Sequence, residues 1–329
     1  MKITKNKTTS LLSALSLALT VNIYATDIVV DPTMEIVNIQ TAINNAESGS
    51  TIQFKPGIYN LTAGFVIKND NLQLLGEGAI LRKISGDNYT AIVVQSNYNV
   101  VTGFTINGGK SDGNTIQGGG IFVYGSHNAI SNVRVHDNNG HGIGLGGHID
   151  DLPCGSNKVL NSRVFNNHMI GISEYNCSNN IITGNHVNDN GLEGITIDVG
   201  SHRNIVSDNR LHANCQRGGA GGIGIDQAEF NIIQGNIITG SQNKCGGIKM
   251  NNRVGHSRYN VVNSNVLLNN DGPGVWLSTY GEFRSNHNTV TGNVFTHNTE
   301  SIKMDIESTN NVTVGNVVKQ EEGGGESLQ

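Results

Sequence analysis

The sequence is short of most residues that mark an ordinary globular enzyme. Of its 329 residues only 14% are charged and 5% aromatic, with four prolines, four cysteines and one tryptophan. So little proline, and no glycine triplet among the 43 glycines, excludes collagen-like and proline-rich chains. The absence of a basic excess, 21 Lys and Arg against 26 Asp and Glu, excludes a general nucleic-acid binder. No Cys-x-x-Cys or Cys/His spacing supports zinc. What is present is apolar: 36% of residues, spread through the body, are enough for a long core and too many for disorder.

Residues 1–25 carry Lys2, Lys5 and Lys7, an apolar run from Leu11 to Val21, and Ala25 at the expected cleavage point. This reads as a secretory signal peptide, too short to span a bilayer. No later stretch approaches the roughly 20 apolar residues of a spanning helix, so the expectation is a secreted or periplasmic protein without membrane association. Losing the three lysines leaves 18 basic against 26 acidic residues, a mildly acidic mature chain. Export permits disulfides among Cys154, Cys177, Cys215 and Cys245, with three connectivities open. Aligning Asn157 with Asn180 sets Cys154 and Cys177 one repeat apart. Cys215 and Cys245 precede consecutive Gly-Ile phrases and form the natural remaining pair.

A six-residue phrase recurs at Asn180-Ile-Ile-Thr-Gly-Asn185, Asn204-Ile-Val-Ser-Asp-Asn209, Asn231-Ile-Ile-Gln-Gly-Asn236, Asn260-Val-Val-Asn-Ser-Asn265, Asn288-Thr-Val-Thr-Gly-Asn293 and Asn311-Val-Thr-Val-Gly-Asn316. Successive copies start 24, 27, 29, 28 and 23 residues apart, the mark of a solenoid. A second phrase alternates with it, as in Gly171-Ile-Ser-Glu-Tyr175, Gly194-Ile-Thr-Ile-Asp198, Gly222-Ile-Gly-Ile-Asp226, Gly247-Ile-Lys-Met-Asn251 and Gly274-Val-Trp-Leu-Ser278. Both are β-branched, of period two and bounded by turn residues, so they predict strands stacked in parallel, coil on coil, over 49–318. Roughly 270 residues at about 25 per coil give about eleven coils. Repeated Asn at one corner predicts a hydrogen-bonded ladder. Residues 26–48 hold a helix whose Ile36, Ile39, Ile43 and Ala46 share one face, a cap for the open end of the core, and 319–329 read as a flexible tail.

The Ile39-Gln40-x-Ala42-Ile43 helix followed by Gly-Ser-Thr-Ile-x-Phe-x-Pro-Gly-x-Tyr59 resembles the entry to the right-handed parallel β-helix of the pectin-lyase-like superfamily. The later coils resemble its NosD-like and epimerase-like repeats. The resemblance covers nearly all of residues 30–318 and implies an all-β, single-stranded right-handed parallel β-helix. That superfamily holds lyases, hydrolases, epimerases and adhesins, so activity must come from the site.

In the second phrase, the third and fifth residues of each copy should face solvent in two columns. The third column ends Thr196, Gly224, Lys249, Trp276, Lys303; the fifth includes Tyr175, Asp198, Asp226, Asn251 and Asp305. Asp198 and Asp226, one coil apart, would split their pKa values and serve as acid and base, or hold a divalent cation such as calcium. Lys249 follows, Gly224 leaves a notch, and Trp276 offers a platform for a sugar ring. Glu174 breaks the pattern with a carboxylate at an inward position, which requires either a bulge or a partner. It joins Asp198, Asp226 and Lys249 as a catalytic candidate, with Trp276, Arg253, Asn251, Tyr175, Arg217 and Lys303 as substrate-binding candidates. Between Asp198 and Asn260 seven Lys and Arg face four Asp and Glu, a reversal of sign that suggests an anionic glycan.

Other motifs carry less. Gly221-Gly-Ile-Gly-Ile-Asp226 is a single loose copy of a calcium nonapeptide that needs tandem copies. Gly140-His141-Gly142 precedes the Asp pair where polygalacturonases have it afterwards. No proline precedes a histidine, so the epimerase Asp-Pro-His motif is absent. His136, His141, His148, Asp150 and Asp151 form an imidazole-rich coil, read mainly as surface scatter.

These features predict a polysaccharide lyase acting by β-elimination on a polysaccharide or oligosaccharide containing uronate. The alternatives are a glycoside hydrolase using Asp198 and Asp226, a uronate C5-epimerase, and a non-catalytic glycan-binding surface protein.

Overall fold

The computed structural model describes residues 27–84, 89–109, 118–147, 154–253 and 255–319. The expected leader lies outside them, as does all but the first residue of the expected tail.

Each repeat makes three short strands separated by corners, and equivalent strands of successive coils pair in parallel. Three long sheets result, of twelve, eleven and ten strands, which form the three sides of a right-handed parallel β-helix. The ten-stranded side counts the complete coils, against the eleven expected from length. The first phrase builds the twelve-stranded side, the residues just after it the eleven-stranded side, and the second phrase the ten-stranded side. Parallel pairing needs no helical crossover here, because each strand meets its counterpart one turn on.

Alternation carries the core. In the first phrase the third residue points inward, and Ile182, Val206, Ile233, Val262 and Val290 stack fully buried. Position five of that phrase turns the corner: Gly184, Asp208, Gly235, Ser264, Gly292 and Gly315 all have φ between 55° and 70°. Glycine, or a short polar residue, is what that left-handed conformation tolerates.

The asparagines do more than the single ladder expected. The backbone N–H and side-chain amide of Asn180 both donate to Oδ1 of Asn204 on the next coil. The column continues through Asn231, Asn260, Asn288 and Asn311. A second column runs Asn185, Asn209, Asn236, Asn265, Asn293, Asn316. A third joins Asn138, Asn167, Asn190 and Asn214 at another corner.

The cap forms as expected. Helix Ile36–Asn45 buries Ile39 and Ile43. The Gln40 side chain donates to the Val66 carbonyl and accepts the Val66 N–H, both at 2.8 Å, fastening the helix to the first strand of the ten-stranded side. Beneath it Phe54 makes edge contacts with Tyr59, Phe65 and Phe104. An unexpected strand, Asp27–Val30, precedes the helix and extends the twelve-stranded side.

Cys154 and Cys177 form the disulfide expected of them. Cys215 and Cys245 do not: both are buried free thiols in contact with each other. Cys215 sits at φ 65° with Sγ directed at the Gly221 carbonyl, 3.3 Å away, and its contact with the Cys245 thiol, followed by burial, keeps it protonated.

Candidate functional site

The ten-stranded side places the second-phrase residues in the expected register. Thr196 pairs with Gly224, Gly224 with Lys249, Lys249 with Trp276, and Trp276 with Lys303. Tyr175 pairs with Asp198, and the N–H groups of Asp226, Asn251 and Asp305 each donate to the preceding coil, so the fifth column also holds. The two columns differ from expectation in exposure. Ser173, Thr196 and Gly224 are buried. A Cβ on Gly224 would lie 3.3 Å from Cγ of Glu193, so the notch is already filled.

Glu193 is the functional candidate that sequence reasoning missed. It is 7% exposed, and its Oε1 accepts the Ala220 N–H at 2.7 Å. Its charge acts on Asp198, Lys249 and Arg253 alike. The signal was available one residue ahead of the second phrase, where the aligned position reads Gly119, His141, Ile170, Glu193, Gly221, Gly246, Pro273 and Glu300.

Asp198 and Asp226 stand on adjacent coils in contrasting states. Burial, the charge of Glu193 and the charge of Asp226 push the Asp198 carboxyl up to about 7, against the pull of Arg253. Asp226 is 3% exposed and fully engaged by one residue: Oδ1 accepts the Arg253 N–H at 2.8 Å and Oδ2 the Arg253 Nε–H at 2.7 Å. This ion pair corrects the expectation of two free carboxylates, because each oxygen of Asp226 already accepts a hydrogen bond from Arg253. Among the described residues no cluster of three or more metal-ligating side chains occurs.

Lys249 and Trp276 also differ from expectation. The Lys249 Nζ lies 3.9 Å from the indole centroid and the Lys303 Nζ 4.2 Å, from the coils on either side. The indole is thus flanked by two ammonium groups and is no open platform. Its Nε1–H donates to Asp305 at 3.0 Å. Burial lowers the Lys249 pKa, with Arg253 acting the same way.

Several candidates lie elsewhere. Glu174 is in regular register between Leu145 and Ile197, without a bulge and fully buried inside the coil, with the Asn180 side chain as a hydrogen-bonding neighbour. Burial pushes its pKa well above the usual carboxylate range, so it is a neutral acid of the core and not a groove residue. Arg217 contacts His168 in a separate cleft. Of the other cations counted as local, Arg258 pairs with Glu229, Arg203 donates to Asn179, Arg210 stands on the eleven-stranded side and Lys244 is exposed in a turn, which leaves Lys249 and Arg253, joined from outside that span by Lys303. In the imidazole-rich coil, burial lowers His141 to about 4, and His148, Asp150 and Asp151 lie outside the described residues.

The fold has close counterparts among solved structures. The endo-xylogalacturonan hydrolase of Aspergillus tubingensis superposes with a TM-score of 0.72 at 14% identity, over 90% of this chain and 94% of that one. Pectate lyase Pel9A gives 0.65 at 16% identity, over 90% and 80%. The Dettilon tailspike protein gp208 gives 0.63 at 14%, over 88% of this chain, which spans 61% of the tailspike's length. At such identities the likeness is one of fold. A sequence search finds no match among curated proteins. Residues 90–256 match the family model described as a right handed beta helix region. Half of the sequence thus agrees with the stacked sheets and asparagine columns seen in space, and the chain belongs to the right-handed β-helix family.

Proposed function

We propose that the protein is an exported carbohydrate-active enzyme that cleaves an acidic glycan by β-elimination at the groove on the ten-stranded side. One observation carries this reading: Asp198, whose carboxyl is pushed up to about 7 by burial and the neighbouring carboxylates, stands on the same side as Lys249, whose ammonium form is weakened by burial. Asp198 and Lys249 stand two coils apart on the same side of the solenoid, with the coil of Gly224 between them.

The Arg253 side chain is 61% exposed and uses its Nε on Asp226, which leaves its outer nitrogens for the substrate carboxylate. Neutralising that carboxylate acidifies the adjacent C5 proton. Neutral Lys249 takes the proton, the electron pair forms the C4–C5 double bond, and the C4–O4 bond breaks. Protonated Asp198 delivers its proton to O4. The products are an unsaturated uronate end and a new reducing end. The disulfide between Cys154 and Cys177 and the lyase and hydrolase neighbours support an exported protein acting on polysaccharide.

A second reading rests on the coupling of Glu193 to Asp198. Two carboxyls coupled in this way can act as glycosidase acid and base, with Glu193 in the role expected of Asp226. Digestion of a panel of acidic polysaccharides decides between the two. New ultraviolet absorbance from the conjugated double bond, lost in Lys249→Ala and Asp198→Asn, supports elimination. Reducing ends without that absorbance would establish hydrolysis, and no product from any glycan would leave a binding protein.

A further inference from the structure

A second charged surface lies on another side of the solenoid. On the eleven-stranded side Arg134, Arg163, His186 and Arg210 are in register on four consecutive coils, all exposed. Like charges directly opposite across a ladder destabilise it. Among the described residues none of the three arginines has an acidic partner. The guanidinium groups of Arg134 and Arg163 are instead held over the Phe165 ring, 4.6 and 4.9 Å from its centroid, with His136 stacked at 4.8 Å. Beside this stripe opens a cleft of about 750 Å³, lined by Arg163, Phe165, His168 and Arg217 among others. The acids nearby are already engaged: Asp137 by His136 and Asn166, Asp189 by Asn188 and Gln216.

We infer that this stripe is a second binding site, for an anionic polysaccharide chain laid along the axis of the solenoid. Successive coils are about 4.8 Å apart, close to the rise of one hexose in an extended glycan, and arginine occupies three of these four coils. A row of carboxylates or sulfates meets guanidinium forks on three of the four coils, the geometry that suits arginine better than lysine. Phe165 holds two of the forks in place, which lowers the entropy lost on binding. The inference shares with the proposed function only the acidic nature of the glycan, and the site is separate from the groove.

The test measures binding of full-length protein to polygalacturonate and to heparin by affinity electrophoresis at several salt concentrations, with dextran as neutral control. Arg134→Ser/Arg163→Ser/Arg210→Ser should bind at least about tenfold more weakly, with a salt dependence shallower by about two to three in log–log slope. Arg210→Glu alone should weaken binding in the same direction, and unchanged thermal unfolding would show that the variants fold. The groove variant Lys249→Ala/Arg253→Ala should keep most of the binding. Binding lost in the groove variant and intact in the stripe variant would overturn the inference while leaving the groove reading standing. Failure to bind either polyanion, or stronger binding to single-stranded DNA than to both, would also overturn it.

Discussion

Two carboxyls on neighbouring coils show how much one residue's surroundings decide. Asp198 faces the groove with a carboxyl near 7, so above that pH it loses the proton that the elimination mechanism assigns to it. Turnover should therefore fall on the alkaline side with an apparent pKa near 7, and Asp198→Asn should lower it by at least about a hundredfold at every pH. The same shift bears on stability. A carboxyl raised from 3.8 to about 7 on folding gives stability that is full below 3.8 and lost as pH rises to about 7. Asp198→Asn should flatten that decline in thermal melts. Glu174, one coil earlier and inside the core, has no such use. Glu174→Leu should raise stability by about 1–3 kcal/mol, since it removes a fully buried carboxyl from between Leu145 and Ile197. Because the Glu174 pKa is raised on folding, the gain should grow as pH rises above its ordinary 4.5, and a gap that shrank with pH would contradict this.

At the scale of the element, the corner asparagines hold the coils in register. Asn209 is fully buried, takes Oδ1 of Asn236 with both its backbone and side-chain N–H, and donates also to the Ile182 carbonyl. Asn209→Ala should cost about 1–3 kcal/mol in chemical denaturation, because the donors and acceptors on both adjacent coils lose a partner. This kind of order was legible in sequence, since alternation and the Asn spacing fix which residues stack. The register of Asp198, Lys249, Trp276 and Lys303 followed directly from aligned phrases. What the phrases could not show is which side chain leans on which. The reach of Glu193 into the place of a Gly224 side chain, the clasp of Arg253 on Asp226 and the two lysines against Trp276 all cross between coils whose connecting loops differ in length. The unbonded pair of Cys215 and Cys245 belongs to the same class, being set by local backbone conformation and not by position along the repeat.

At the scale of the molecule, each coil pairs its strands with those of the coils directly before and after it, so stability is close to a sum over coils and the interfaces between them. The match between Asn204 and Asn231, 27 residues apart, is the match between any such pair in the column. Removing residues 205–231 joins Asn204 to Ile232 and leaves the pattern of buried amides whole. That shortened protein should keep a β-sheet circular dichroism spectrum and a cooperative, somewhat less stable unfolding transition. Deleting about half as many residues from the same place should abolish soluble folding, because outward residues would be turned inward all along the break. A gene for such a protein can therefore lengthen or shorten in steps of one whole turn, by unequal exchange between its own repeats, while smaller frame-preserving losses within a strand are purged. The asparagine columns, described above as fasteners, also act as a reading frame at the level of structure.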